Sequence, residues 1–73
     1  MPTWQIIDSC RNPTVTDPPE FRVRVRDVEN LNAHALPTSH VGPEANLRAI
    51  LTNLGIPVVA INAAFNNPPN CAG

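Results

Sequence analysis

The chain has 73 residues, a mass of 7.9 kDa and a formal net charge of −1, with nine prolines, two cysteines, five arginines and no lysine. One domain at most fits that length, which excludes an enzyme carrying its own cofactor domain. Prolines spread from Pro2 to Pro69 exclude a coiled coil, and no run of about 18 apolar residues offers a membrane span.

In chain order, Trp4 to Cys10 reads as a first strand. Trp4 and Ile6 share one face with Gln5 opposite, and Ile7 breaks the alternation. Arg11 to Pro19 reads as a turn region, marked by Asn12-Pro13 and Asp17-Pro18-Pro19. Glu20 to Glu29 is the clearest strand. Phe21, Val23 and Val25 take one face and Arg22, Arg24 and Arg26 the other, as period-two side chains require.

Asn30 to Val41 reads as a long irregular connection with a short helical turn near Leu31 to Leu36. Pro43 to Leu54 is predicted to be a helix. Leu47, Ile50, Leu51 and Leu54 stand at i, i+3, i+4 and i+7, which makes a single apolar stripe. Pro43 suits the first helical position and Glu44 the positive end of the helix dipole. Gly55 suits the left-handed residue that ends a helix, and Pro57 prevents resumption.

Ile56 to Phe65 reads as a third strand, apolar on both faces, with Ala60 and Ala64 on one of them. Residues 66–73 read as an extended tail. The expected fold is therefore α+β. It is a small β-β-α-β module in which one amphipathic helix covers a three-stranded sheet, flanked by extended Pro/Asn-rich arms. A right-handed crossover would make strands two and three parallel. The whole chain, 1–73, forms one small domain: an N-terminal strand and turn (1–19), a core (20–65) and a tail (66–73). One helix cannot cover both faces of the third strand, so an apolar face is expected to remain for a partner.

Four constellations bear on chemistry. Cys10 and Cys71 would staple the two ends of the fold as a disulfide, although chains made without a secretory signal usually keep their thiols reduced. With His34 and His40 they form a Cys2His2 set, but the cysteines lack the close pairing of structural zinc sites, so no metal or cofactor is assigned. The ladder Arg22, Arg24, Arg26 could meet a phosphate backbone or an acidic surface. Glu20, Asp27 and Glu29 neutralise that segment, and no aromatics interleave it, which argues against nucleic acid. Trp4 is either core or an anchor in a partner's pocket. No nucleophile, base and orienting group converge in the sequence, so no catalytic residue and no small-molecule substrate are inferred.

Charged residues make up only 15% of the chain, against roughly 25% on average. A small protein has proportionally more surface and should need more charge. The low value points to surface covered by a partner or by copies of the chain itself. The expected function is non-catalytic. The chain would be an accessory subunit of a larger assembly, such as a virion, shell or multi-subunit complex. It would bind through the apolar sheet face and the arms, with Trp4, Arg22, Arg24, Arg26, Ala60 and Ala64 as contacts. The alternative is a small soluble inhibitor or regulator of one target protein, using the arginine face or the 30–41 loop. Met1 to Gln5 lacks a basic region followed by an apolar one, so synthesis in the cytoplasm without a signal peptide is expected, with the final location unassigned.

Overall fold

The computed structural model describes residues 3–29 and 37–71. Their elements are β1 (Trp4–Thr16), β2 (Pro19–Asp27), β3 (Thr38–Pro43), α1 (Glu44–Asn53) and α2 (Val58–Phe65). The strands form one antiparallel sheet in the order β1-β2-β3, followed in the chain by the two helices. The α+β class and the three-stranded sheet stand. The β-β-α-β order does not: the third strand precedes the helix, residues 58–65 are helical, and no parallel crossover joins strands two and three.

β1 runs further than the alternation suggests, through Thr16, and turns into β2 at Asp17-Pro18, where Thr16 pairs with Pro19. The ladder is irregular between Arg11 and Thr16. There the Asn12 side chain stands in for ladder partners. Its Oδ1 accepts from the Thr14 N–H at 3.0 Å and from Thr14 Oγ1 at 2.8 Å, while its Nδ2 donates to Glu20 Oε1 at 3.1 Å. A second irregularity, between Ile6 and Asp8, leaves Ile7 as the extra residue and accounts for the broken alternation there.

β2 is the central strand and follows the expected pattern. Phe21, Val23 and Val25 are buried, and the three arginines lie on the opposite face. β3 pairs along β2 from Val25–Thr38 to Glu20–Pro43. The last four of the twelve residues expected to be irregular, Thr38 to Val41, are therefore strand. The part from Asn30 to Leu36, including the suggested turn and His34, lies outside the described residues.

α1 presents Leu47 and Leu51, both fully buried, with Ile50 and Leu54 packed beside them. Pro43 sits one position earlier than expected, as the N-cap. The helix ends in a Schellman motif: Gly55 N–H donates to Thr52 O at 3.0 Å, and Ile56 N–H donates to Leu51 O at 3.2 Å. Gly55 has φ of 84°, the left-handed conformation that closes such a turn. Ile56 and Leu51 are both buried, which supplies the hydrophobic contact that accompanies the motif.

α2 follows at once, with Pro57 as N-cap and Ile61 N–H bonded to Pro57 O at 3.1 Å. A short apolar run fits a strand or a buried helix equally well by periodicity. Three features favour the helix. Proline opens it, three of its eight residues are alanine, and burial falls on Ile61 and Ala64, three apart. Asn66 and Asn67 then turn the chain, Asn67 with φ of 58°, before Pro68-Pro69.

Phe21, Val23, Val25, Leu47, Leu51, Ile56 and Ile61 form one core, with Trp4, Ile6, Ala60 and Phe65 against it. Phe65 meets Phe21 edge to face, with centroids 5.2 Å apart. Arg48 links the helices. Its Nε donates to Glu44 Oε2 at 2.6 Å, its Nη1 donates to Asn62 Oδ1 at 2.8 Å, and its guanidinium lies 5.1 Å from the Phe65 ring centroid. The shortest extent of the molecule, 16 Å, is that of one sheet under a single helical layer.

Candidate functional site: an open strand edge beside the second helix

A hollow of about 630 Å³ lies between the first half of β1 and α2. Trp4 to Ser9 form one side; Ile56, Pro57, Ala60, Ala63 and Ala64 form the other. Ser9 Oγ donates to Ala64 O at 2.7 Å and pins the far end of the helix to the strand.

The backbone of β1 is directed by its two neighbours. Val28 N–H donates to Thr3 O at 2.8 Å, so Thr3 faces β2. Alternation then turns Gln5 toward β2 and turns the N–H and C=O of Trp4 and Ile6 toward the hollow. Beyond the bulge the reference is Arg11, which bonds away from β2. Its N–H donates to Pro69 O at 2.8 Å, and its C=O accepts from Cys71 N–H at 2.8 Å. Ser9, two residues earlier, faces the same way. Among the described residues, no backbone hydrogen bond engages Trp4, Ile6 or Ser9 on that edge.

The tail closes the edge further along, at Arg11. Asn70 forms a parallel bridge with Arg11, and Cys71 is disulfide-bonded to Cys10 with Cα atoms 4.9 Å apart. Residues 69–71 are therefore held against the sheet rather than free as an arm. With Cys10 and Cys71 bonded to each other, neither sulfur is a thiolate ligand. Among the described residues, no group of three or more His, Cys, Asp or Glu is placed to hold a metal ion.

The arginine ladder occupies the sheet face opposite the one on which α1 and α2 pack. Arg22, Arg24 and Arg26 stand opposite Cys10, Asp8 and Gln5 of β1. Arg24 grips the Asp8 carboxylate: Nε lies 2.9 Å from Oδ1 and 3.0 Å from Oδ2, and Nη2 also contacts Oδ2. That hydrogen bond, with the charge of Arg24 behind it, holds the Asp8 carboxyl below the ordinary carboxylate range. A lowered carboxyl supports the folded state above its ordinary value and loses that support as pH falls through the lowered one. Both side chains are about two-fifths exposed, so the pair contributes little. Arg26 is exposed. Arg22 Nε is buried without a hydrogen-bond partner among the described residues, beside a hollow of about 180 Å³ lined by Asn12, Glu20, Val41 and Cys71.

The remaining expected contacts are placed as follows. Trp4 is half-buried; it packs on the core and lines the larger hollow. Ala60 and Ala64 line the same hollow, Ala64 being buried. They are not on an open sheet face, because residues 58–65 form a helix and the apolar face of the sheet is covered. The apolar side chains of this segment that reach solvent are Val58 and Val59, 65% and 76% exposed, together with Ala63. The sequence reading missed Val58, Val59, Ala63 and Pro57. The available signal was Pro57 itself, a helix opener directly before an alanine-rich run. Asp8 was missed as the partner of Arg24 because the bulge at Ile7 shifts the register by one residue.

No protein family, curated protein or solved structure matches this chain. No helix among the described residues is long and apolar enough to cross a membrane.

Proposed function

We propose that the protein is a non-catalytic interaction module, an accessory subunit that joins a larger protein assembly through α2 and the strand edge beside it. The observation that carries this reading is the exposure of Val58 and Val59 on a helix that is apolar along almost its whole length. A surface helix normally gives its outer face to polar residues. Here Asn62 is the only polar residue of α2, and Pro57 and Ala63 extend the exposed apolar surface into the neighbouring hollow. Such a surface in a chain with 15% charged residues fits one that is covered in its working state.

The test is native mass spectrometry of the tagged full chain recovered from its source cells, beside Val59→Glu. A complex of fixed stoichiometry that falls apart in Val59→Glu, with helical circular dichroism retained, supports the reading. A lone monomer in both samples overturns it.

A second reading keeps the interaction and moves it to the arginine face, where the protein would inhibit or regulate one acidic target. The exposed Arg26 and the buried Nε of Arg22, which has no hydrogen-bond partner among the described residues, favour it; both lie on the sheet face opposite α1 and α2. Under this reading, changing Arg22 and Arg26 to Gln releases the partner and Val59→Glu does not.

A further inference from the structure

We propose that the open edge of β1, Trp4 to Ile6, pairs antiparallel with the same edge of a second copy of this chain about a two-fold axis at Gln5. The sheets of the two copies then join into one of six strands.

The register follows from the backbone. Only residues whose N–H and C=O face the edge can exchange ladder bonds, and on this stretch those are Trp4 and Ile6. In an antiparallel ladder a hydrogen-bonded residue must stand opposite another hydrogen-bonded residue. Trp4 opposite Ile6 of the second copy, and Ile6 opposite its Trp4, satisfies this at both positions and places Gln5 opposite Gln5. An isologous contact requires the same reciprocity: residue i meets j and j meets i.

Charge selects the occupant. Trp4, Gln5, Ile6 and Ile7 are all uncharged, so the apposed stretch carries no like charges. The first charge met along β1 is that of Asp8, which Arg24 already compensates. In this register the two Asp8 residues lie six positions apart along the joint, roughly 20 Å. A strongly charged strand would meet only Asp8 in the hollow, a carboxylate already held by Arg24, whereas the β1 stretch from Trp4 to Ile7 is itself uncharged.

The contrast with the rest of the sheet margin supports the choice. Exposed edges are usually blunted by short length, charge, proline or a covering segment. β3 is six residues long and ends in Gly42-Pro43. The second half of β1 carries Arg11 and Pro13, and the tail pairs with it at Arg11, where the disulfide holds it in place. The stretch from Trp4 to Ile6 is short too, but it carries no charge and no proline, and among the described residues no segment is hydrogen-bonded along its outer edge. Its helical wall is built from Ala60, Ala63 and Ala64, whose small side chains leave room beside the strand.

The experiment is sedimentation equilibrium of the full chain over a wide concentration range, with hydrogen exchange on the same samples. The expected result is a species of twice the 7.9 kDa chain mass. Amides of Trp4 and Ile6 should gain protection as concentration rises, while that of Gln5, already turned to β2, should not change. Gln5 is exposed, so changing it spares the core. Gln5→Lys places like charges at the axis and weakens dimerisation by about five-fold. Gln5→Glu weakens it less, because Arg26 stands opposite Gln5 on β2. Mixing the two variants restores association. A monomer at every concentration overturns the proposal, as does a dimer indifferent to both substitutions or one protected elsewhere. The proposed role in an assembly is separable, because Val59→Glu, which tests that role, lies off the strand edge.

Discussion

The two helices are nearly the same length and sit side by side, yet they divide their surfaces in opposite ways. α1 buries Leu47 and Leu51 completely and gives its other side to Glu44, Asn46, Arg48, Thr52 and Asn53. α2 buries Ile61 and Ala64 and leaves Val58, Val59 and Ala63 in water. α1 is therefore accounted for by the stability of the fold alone. α2 holds more apolar surface than the fold uses, and the excess is what points to a partner.

The comparison breaks most clearly on deletion of side-chain volume. Leu51→Ala should cost about 2–5 kcal/mol, because it removes fully buried atoms and leaves a cavity under the sheet. Val59→Ala should cost no more than roughly 0.5 kcal/mol, as surface substitutions do. Urea denaturation of the two variants decides it. If Val59→Ala is as damaging as Leu51→Ala, then α2 is a core element with nothing to spare, and the case for a covered partner surface collapses.

The same division explains what the sequence allowed. α1 was readable because its apolar residues repeat at helical spacing between a proline and a glycine, so pattern, cap and stop agree. β2 was readable because valines and arginines alternate without exception. α2 was misread because apolar residues on every side carry no period. The eight residues alternate as acceptably as they wind, and only Pro57 and the alanines tip the balance. β3 was missed for the opposite reason. Thr38, Ser39, His40 and Gly42 give it little apolar signal, and its pairing with β2 comes from tertiary context. The open edge of β1 could not be seen at all from sequence. Which edge of a strand is free depends on which neighbour the tail reaches, and that is set by the Arg11 to Asn70 bridge.

A smaller or equal effect is expected at the bond that ties the tail to β1. Closing a loop of 61 residues' separation is worth about 4 kcal/mol in the chain-entropy model. Reduction, or Cys10→Ala with Cys71→Ala, should lower stability by up to that amount. The loss should be uneven. The tail leaves the end of α2, so exchange of the α2 amides should rise more than that of α1, whose seat against β2 does not pass through the disulfide. Equal exposure of both helices on reduction would mean that they open as one unit and that α2 has no separate anchoring.

The smallest effect belongs to the joint between the helices. Gly55 is held at φ of 84° by the turn that ends α1, and a methyl group added there would meet nothing within 4 Å. The cost of Gly55→Ala is therefore one of backbone conformation alone, about 1 kcal/mol. Asn at this position should cost less, since it tolerates the left-handed region. The informative part is where the damage appears. Ile56, the next residue, is both the hydrophobic end of the α1 turn and a wall of the hollow beside β1. If the joint only stops α1, hydrogen exchange in Gly55→Ala changes at the end of that helix and nowhere else. If it also seats α2, exchange at Ile61 and Ala64 rises with it. The apolar face proposed to meet a partner would then be aimed by one exposed glycine outside it.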